Sequence, residues 1–322
     1  MLGGEGCIIA RTIVAALGGN AILRQGDTGT AEEQAANIRT ACQSLVGIVA
    51  AGHRLVLVHG NGPQVGNILL QNEEAAATVP ALPLDACGAE SQGLLGYLIQ
   101  REMGVALRAA GLERPVVTLL TQVLVDPDDP AFHNPTKPIG PFYTPERARR
   151  LAEQRGYVMK ADARRGWRRV VASPEPRGII EWEAIAALLH TGAVVVCCGG
   201  GGVPVWRDAN GRIWGVEAVI DKDLAAQQLA ADLGAQRLVI LTDVAHVAIR
   251  WGRPDQVDLA RTPLAQLRAY QQEGHFASGS MGPKVEAACR FVAAGGEFAA
   301  IAALEQAAAA AEGKSGTVVV PD

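Results

Sequence analysis

Five lysines stand against twenty-four arginines in this chain, and three of the five sit where a loop gives way to an element. Lys137 lies in Pro135-Thr136-Lys137-Pro138, Lys222 between Asp221 and Asp223, and Lys284 just after Gly279-Ser280-Met281-Gly282-Pro283. A lysine ammonium is a compact point charge suited to one phosphoryl oxygen. Phosphoryl transfer needs such cations on a frame that orients them. Taken singly, each reads better as an ordinary surface lysine. The carboxylates of Asp221 and Asp223 can cap a helix starting there, hold neighbouring ammonium groups in place, or do both. Nothing around them resembles a proton relay.

Three glycine-rich turns add to this: Gly18-Gly19-Asn20, Gly60-Asn61-Gly62 and Gly199–Gly202. Each follows a short apolar, β-branched run. Glycine lets backbone N–H groups approach an anion closely, and a helix N-terminus adds positive potential. One such turn is just a tight turn. Three of them, all after strands, point to a phosphate or small-anion site at the carboxyl edge of a sheet. Neither G-x-x-x-x-G-K-[ST] nor G-x-G-x-x-G occurs, so a P-loop enzyme and a standard dinucleotide binder are unsupported. Val203-Pro204 after the longest glycine run suits a turn into a hairpin.

The elements that must position these residues alternate. Strands are expected at 7–17, 54–59, 116–122, 193–198, 237–243 and 317–320. Helices are expected from a Thr30–Glu33 capping box to Gly52, then from Pro63, over about 89–110, from Asp221 to Gly234, and near 263–273, 283–294 and 303–312. A hairpin turns at Asn210-Gly211. This order implies an α/β fold on a mainly parallel sheet covered on both faces. Segment 126–177 breaks the pattern. It holds eight prolines, and between Lys137 and Arg177 eleven Lys/Arg face four Asp/Glu, a local +7. It reads as an inserted subdomain, either a solvated basic excursion or a lid that attracts a polyanion.

Length and composition bound the rest. A chain of 322 residues that is 49% apolar and 19% charged has ample material for a large core. A net charge of −4 suggests neither a nucleic-acid nor a membrane-surface protein. Glu5 and Arg11 spoil a signal peptide, and the uncharged stretch 184–206 is broken by Gly192 and the glycine run, so no membrane span is expected. Six scattered cysteines, with no CxxC, fit a reducing cytoplasm.

The stretches VAALGGNAIL (14–23), HGNGPQVGN (59–67), NPTKPIGPF (134–142), GVEAVIDKDLAA (215–226) and GHFASGSMGPK (274–284) occur in order along nearly the whole chain. Together they resemble the carbamate kinases, a branch of the amino acid kinase family. GGN alone is shared across the wider family, whereas HGNGPQVGN, NPTKPIGPF and GSMGPK in combination are specific.

The resemblance implies a three-layer α/β/α sandwich with a protruding subdomain at about 126–177. It implies an N-terminal lobe for the small acid (1–192), a C-terminal nucleotide lobe (193–322) and a homodimer. It implies Mg²⁺ carried mainly by the nucleotide phosphates rather than by protein ligands. The reaction it implies is reversible transfer between carbamoyl phosphate plus ADP and carbamate plus ATP. Gly18, Gly19, Asn20, Gly60, Asn61 and Gly62 would hold the carbamate and the phosphoryl group through backbone N–H groups. Lys137, Lys222 and Lys284 would neutralise the group in transfer, with Asp223 organising the lysines. Thr242, Asp243, Met281 and Pro283 would lie by the nucleotide. Carbamate is already anionic, so no general base is needed. Arg165, where the family carries Gly, departs from the pattern without touching these positions.

His59, ending a strand, reads as a structural group. His275 could touch the nucleotide or merely close a turn. The five tryptophans (167, 182, 206, 214, 251) read as packing, and nothing marks Cys87 as reactive. Three other readings compete: a kinase for another small acid, which NPTKPIGPF disfavours; a nicotinamide oxidoreductase, which lacks its fingerprint; and a non-catalytic nucleotide sensor, which the intact Lys137, Lys222, Asp223 and Lys284 set disfavours.

Overall fold

The computed structural model describes residues 10–24, 26–162, 166–277 and 279–322, with the backbone alone at Asn20 and Asp162. Arg165 and residues 7–9 of the first expected strand lie outside them.

Numbering only its own strands, the main sheet contains β1 (Thr12–Leu17), β2 (Arg54–His59), β3 (Val116–Thr118), β4 (Val194–Cys197), β5 (Arg237–Thr242), β6 (Arg261–Pro263), β7 (Phe298–Ala303) and β8 (Thr317–Val320). Their spatial order is β6-β8-β7-β5-β1-β2-β4-β3. Every neighbouring pair is parallel except β7 with β8. All six residues of β1 are buried, as a strand covered on both faces requires.

The helices are α1 (Ala31–Ala50), α2 (Gly62–Ala75), α3 (Leu84–Ala109), α4 (Pro145–Arg155), α5 (Trp182–His190), α6 (Lys222–Asp232), α7 (Leu264–Gln272), α8 (Met281–Ala293) and α9 (Ala307–Ala311). Because strand side chains alternate between faces, β1 splits its residues between two cores. Val14 and Ala16 join Leu229, Val285 and Phe291 of α6 and α8. Ile13, Ala15 and Leu17 join Ile38, Leu45 and Ile99 of α1 and α3. The result is the three-layer sandwich. The capping box of α1 is present in both directions: Thr30 Oγ1 accepts from the Glu33 amide, and Glu33 returns the bond to the Thr30 amide.

The chain leaves β1 through α1 to reach β2 on one side. Strand β5, on the other side, is entered from α6 on the opposite face. The order therefore reverses at β1/β5, and in open parallel sheets the carboxyl ends at such a point frame the ligand crevice. Strand β4, from the C-terminal part of the chain, lies between β2 and β3.

Within 126–177 a three-stranded antiparallel sheet forms from Lys137–Tyr143, Gly166–Val171 and Met159–Asp162, with α4 beside it. It packs on α2 with almost no clearance: a Cβ on Gly66 would stand 2.8 Å from Gly140 Cα. Overpacking of this kind costs about 1–3 kcal/mol. Gly66→Val is accordingly expected to lower the thermal midpoint and, by pushing the strand that begins at Lys137 away, to reduce turnover. Calorimetry and steady-state rates on one preparation check both.

Several boundaries differ from expectation. Helix α3 begins at Leu84 rather than near 89, and α8 at Met281 rather than 283. The run 116–122 is not one strand. The Gln92 side chain takes both the amide and the carbonyl of Thr121, and the chain crosses to a second sheet at Gln122–Leu124. That four-stranded sheet includes the hairpin strands Val203–Arg207 and Ile213–Gly215 around Asn210-Gly211. The helix expected near 303–312 is a 3-10 turn at Leu304–Gln306 that runs into α9 at 307–311, and the strand β7 before it was not anticipated.

Candidate active site

A cleft of about 1060 Å³ opens at the carboxyl ends of β1, β2, β5 and β7. Gly18 and Gly19 line it after β1, Gly60, Asn61 and Gly62 after β2, and Thr242 and Asp243 after β5. Lys137, Lys222, Asp223, Met281 and Lys284 complete the set brought together there, while Pro283, one residue before Lys284, is not on the wall. Asn20 falls in the 3-10 turn Gly19–Ala21.

The lysines converge because two helices start side by side. Asp221 caps α6, its carboxylate accepting from the Asp223 amide at 2.9 Å, which places Lys222 and Asp223 in the first turn. Helix α8 packs along α6 and brings Lys284 in its own first turn. Asp223 then takes Lys222 Nζ on one carboxylate oxygen at 2.5 Å and Lys284 Nζ on the other at 2.8 Å. Burial pushes the Asp223 carboxyl up, but the two ammonium groups more than reverse this and hold it at about 2. Burial lowers the Lys222 ammonium; Asp223 draws it back up and Lys284 adds to the lowering. Lys137 arrives from the protruding sheet and pairs with Asp221 at 2.8 Å. Asp221 thus has two jobs, capping α6 and anchoring the third lysine.

The glycine turns divide their labour. The amides of Gly18 and Gly60 are committed to the sheet, donating to Leu241 and Leu17 carbonyls at 3.1 Å. This corrects the expectation that both donate to substrate. Gly19 opens a 3-10 turn and Gly62 opens α2, positions whose amides have no partner inside their own helix. The two turns are back to back: a Cβ on Gly60 would lie 3.1 Å from the Gly19 nitrogen. The third run is a floor more than a cradle. A Cβ on Gly199 would fall 2.5 Å from the His59 ring, and one on Gly200 2.1 Å from the Asn61 amide. These glycines let the second turn settle, with Asn61 donating to Ser91 Oγ at 2.7 Å.

His59 is structural. It is buried against the Gly60 carbonyl, and burial pushes its ring down to about 4, so it is neutral at pH 7. His275 lines the cleft and also closes a turn through its amide to the Tyr270 carbonyl. Trp251 overturns the packing expectation: it is 64% exposed on the cleft wall. Trp182 and Trp214 are exposed too. Cys87 is buried, and burial raises its thiol pKa, as befits an unreactive group. Sequence reasoning did not find Glu305 and His246, which also line the cleft. Glu305 follows β7, the strand that was not anticipated.

Two helix starts carrying lysines that share one carboxylate, facing glycine turns at the switch point of a parallel sheet, form an arrangement suited to phosphoryl transfer. The model of the amino acid kinase family matches residues 11–302, and the chain belongs to that family. Its relatives narrow the class. It is 50% identical over 315 residues to the carbamate kinase of Pyrococcus furiosus, covering 97% of this chain and all of that one. It is equally identical over 312 residues to the carbamate kinase of Trichomonas vaginalis, covering 96% and 99%. The carbamate kinase of Giardia lamblia bound to AMP-PNP superposes with a TM-score of 0.92 at 45% identity, covering 98% of this chain and all of the other.

Proposed function

We propose that this chain is a carbamate kinase, transferring a phosphoryl group between carbamoyl phosphate and ADP to give carbamate and ATP. The observation that carries the reading is the shared Asp223 carboxylate, which sets Lys222 and Lys284 side by side on the cleft opposite the glycine turns. The amides of Gly19 and Gly62 take the carbamate oxygens, while Lys222, Lys284 and Lys137 stabilise the equatorial oxygens of the group in flight. In the synthetic direction a carbamate oxygen forms the new P–O bond as the bond to the ADP oxygen breaks. Carbamate enters as the anion, so no proton moves. Thr242, Asp243 and Met281 bound the nucleotide side.

Mg²⁺ fits as a passenger of the nucleotide. Among the described residues no cluster of three metal-ligating side chains exists, and Asp221 and Asp223 are engaged by lysines. Magnesium commonly enters such sites on phosphates with few protein ligands. When bound it neutralises phosphate charge.

We place the protein in the cytoplasm, since no helix among the described residues can cross a membrane and the described cysteines are unpaired. We assign homodimerisation to α3. Leu94, Tyr97 and Val105 form an exposed stripe, with the Arg101 guanidinium over the Tyr97 ring, beside the open edge strand β3. A second copy crossing on the same stripe would cover it isologously. Leu94→Glu with Tyr97→Glu is expected to halve the mass measured by light scattering; an unchanged mass would move the interface elsewhere.

The function is tested by following ATP formed from ADP and carbamoyl phosphate with Mg²⁺, with acetyl phosphate in a parallel arm. ATP from carbamoyl phosphate supports the reading. ATP from acetyl phosphate alone would transfer the assignment to another small acid.

A further inference from the structure

Arg169 is the one buried arginine among the described residues, and it touches none of the groups assigned to the reaction. It lies on the strand Gly166–Val171 of the protruding sheet. Its guanidinium carbon stands 3.6 Å over the Tyr157 ring, and Nη2 is paired with Glu217. Its charge also bears on Glu73 of α2. Three parts of the molecule therefore meet at it: the protruding sheet, α2, and the segment 216–221 that leads into α6.

The same strand splints both halves of an active-site ion pair. Val171 is the ladder partner of Lys137, and its carbonyl accepts from the Thr136 amide at 3.2 Å. One residue on, Ala172 bridges Ala218, and its carbonyl accepts from the Val219 amide at 3.0 Å. Lys137 and Asp221 are 84 residues apart in sequence and 2.8 Å apart in space because each extends from this strand. Glu217 precedes Ala218 directly, so the Arg169–Glu217 pair clamps the segment carrying Asp221 at its root.

We propose that Arg169, acting through Glu217, is a positioning residue for Lys137 and Asp221. It locks the protruding sheet to the entrance of α6, so that the third lysine meets the transferring phosphoryl group. The inference rests on the role given to Lys137 in the proposed reaction. Misplacing a reacting frame by about 1 Å costs on the order of a hundredfold in rate.

A double-mutant cycle in the full-length enzyme tests it, with kcat and KM measured for ADP and carbamoyl phosphate. The four enzymes are the parent, Lys137→Ala, Arg169→Met and the double variant. Arg169→Met is expected to lower kcat on the order of a hundredfold while leaving the KM for ADP within about twofold. In the Lys137→Ala background the same substitution should add less than about threefold, because the residue it positions is gone. Equal losses in both backgrounds, or a KM for ADP that moves with kcat, would overturn the coupling. A Lys137→Ala enzyme with undiminished kcat would overturn both the coupling and the Lys137 assignment, whereas an impaired one with additive Arg169 loss overturns the coupling alone. Should Arg169→Met lose its cooperative thermal transition, Glu217→Gln replaces it in the cycle. The Glu217 side chain is 62% exposed, and Gln keeps its size and a carbonyl oxygen that Arg169 can donate to, so this change disturbs the packing less.

Discussion

Asp223→Asn is expected to remove nearly all turnover and to change its pH dependence. The carboxylate is almost fully enclosed and is the common partner of Lys222 and Lys284. Taking one partner from a buried charged cluster costs about 3–5 kcal/mol, because it strands what remains. Here two ammonium groups lose their counter-charge. Lys222, already lowered by burial, falls further and sheds its proton more readily. Loss of a preorganised charge contact at a transition state costs about 10²–10³ in kcat. With both lysines released, the variant should sit at or beyond the upper end. Its residual rate should rise as pH falls, because acid restores the Lys222 charge, while the parent shows no such limb. A flat profile in the variant would separate Asp223 from the state of Lys222.

The same residue contributes to acid stability, with a definite sign. Its carboxyl titrates at about 2 in the folded chain against 3.8 ordinarily. A carboxyl depressed by folding contributes stability that is complete above its unfolded value and lost as pH falls through the folded one. The amount is about 2 kcal/mol. Denaturant titrations at pH 6 and pH 2 should show that loss in the parent and lack it in Asp223→Asn. Other depressed carboxyls, such as Glu102 and Glu286, titrate alike in both proteins and cancel.

Lys284→Ala is expected to lower kcat by about 10²–10³ with the fold intact. The KM for ADP should change little, since the role proposed for this ammonium is on the phosphoryl group in transfer. Arginine should not rescue it. Its planar fork cannot replace a compact ammonium held 2.8 Å from one carboxylate oxygen. Combined with Lys222→Ala, the loss should fall short of the product of the single losses, because both lysines act through Asp223 as one unit. A Lys284→Ala enzyme within about threefold of the parent would remove Lys284 from the transfer step.

One part of the site was legible because its residues are near one another in sequence as well as in space. Asp221, Lys222 and Asp223 are consecutive, and helix capping alone predicts their neighbourhood. The partnership of Lys137 with Asp221 was not legible, since it depends on a strand that joins distant segments. That strand's neighbour, Lys137–Tyr143, carries Pro138 and Pro141 and reads as loop. It tolerates them because it is hydrogen-bonded to one neighbouring strand only. Strand β7, Phe298-Ala-Ala-Ile-Ala-Ala303, is alanine-rich and lacks the β-branched run that marks the other strands. Its small residues answer a packing demand, for it is covered closely on both faces by α8 and α9. The split of 116–122 turned on one glutamine side chain, and the roles of the glycine run on what lies behind it. Neither leaves a local pattern.

The uninterrupted sheet through β5, β1 and β2 has a mechanical meaning. The turns to which we assign the small acid and the strand end to which we assign the nucleotide are rooted in adjacent, mutually hydrogen-bonded strands with no seam between them. Their spacing is set by the ladder. The three-stranded appendage that delivers Lys137 is a separate sheet outside that ladder.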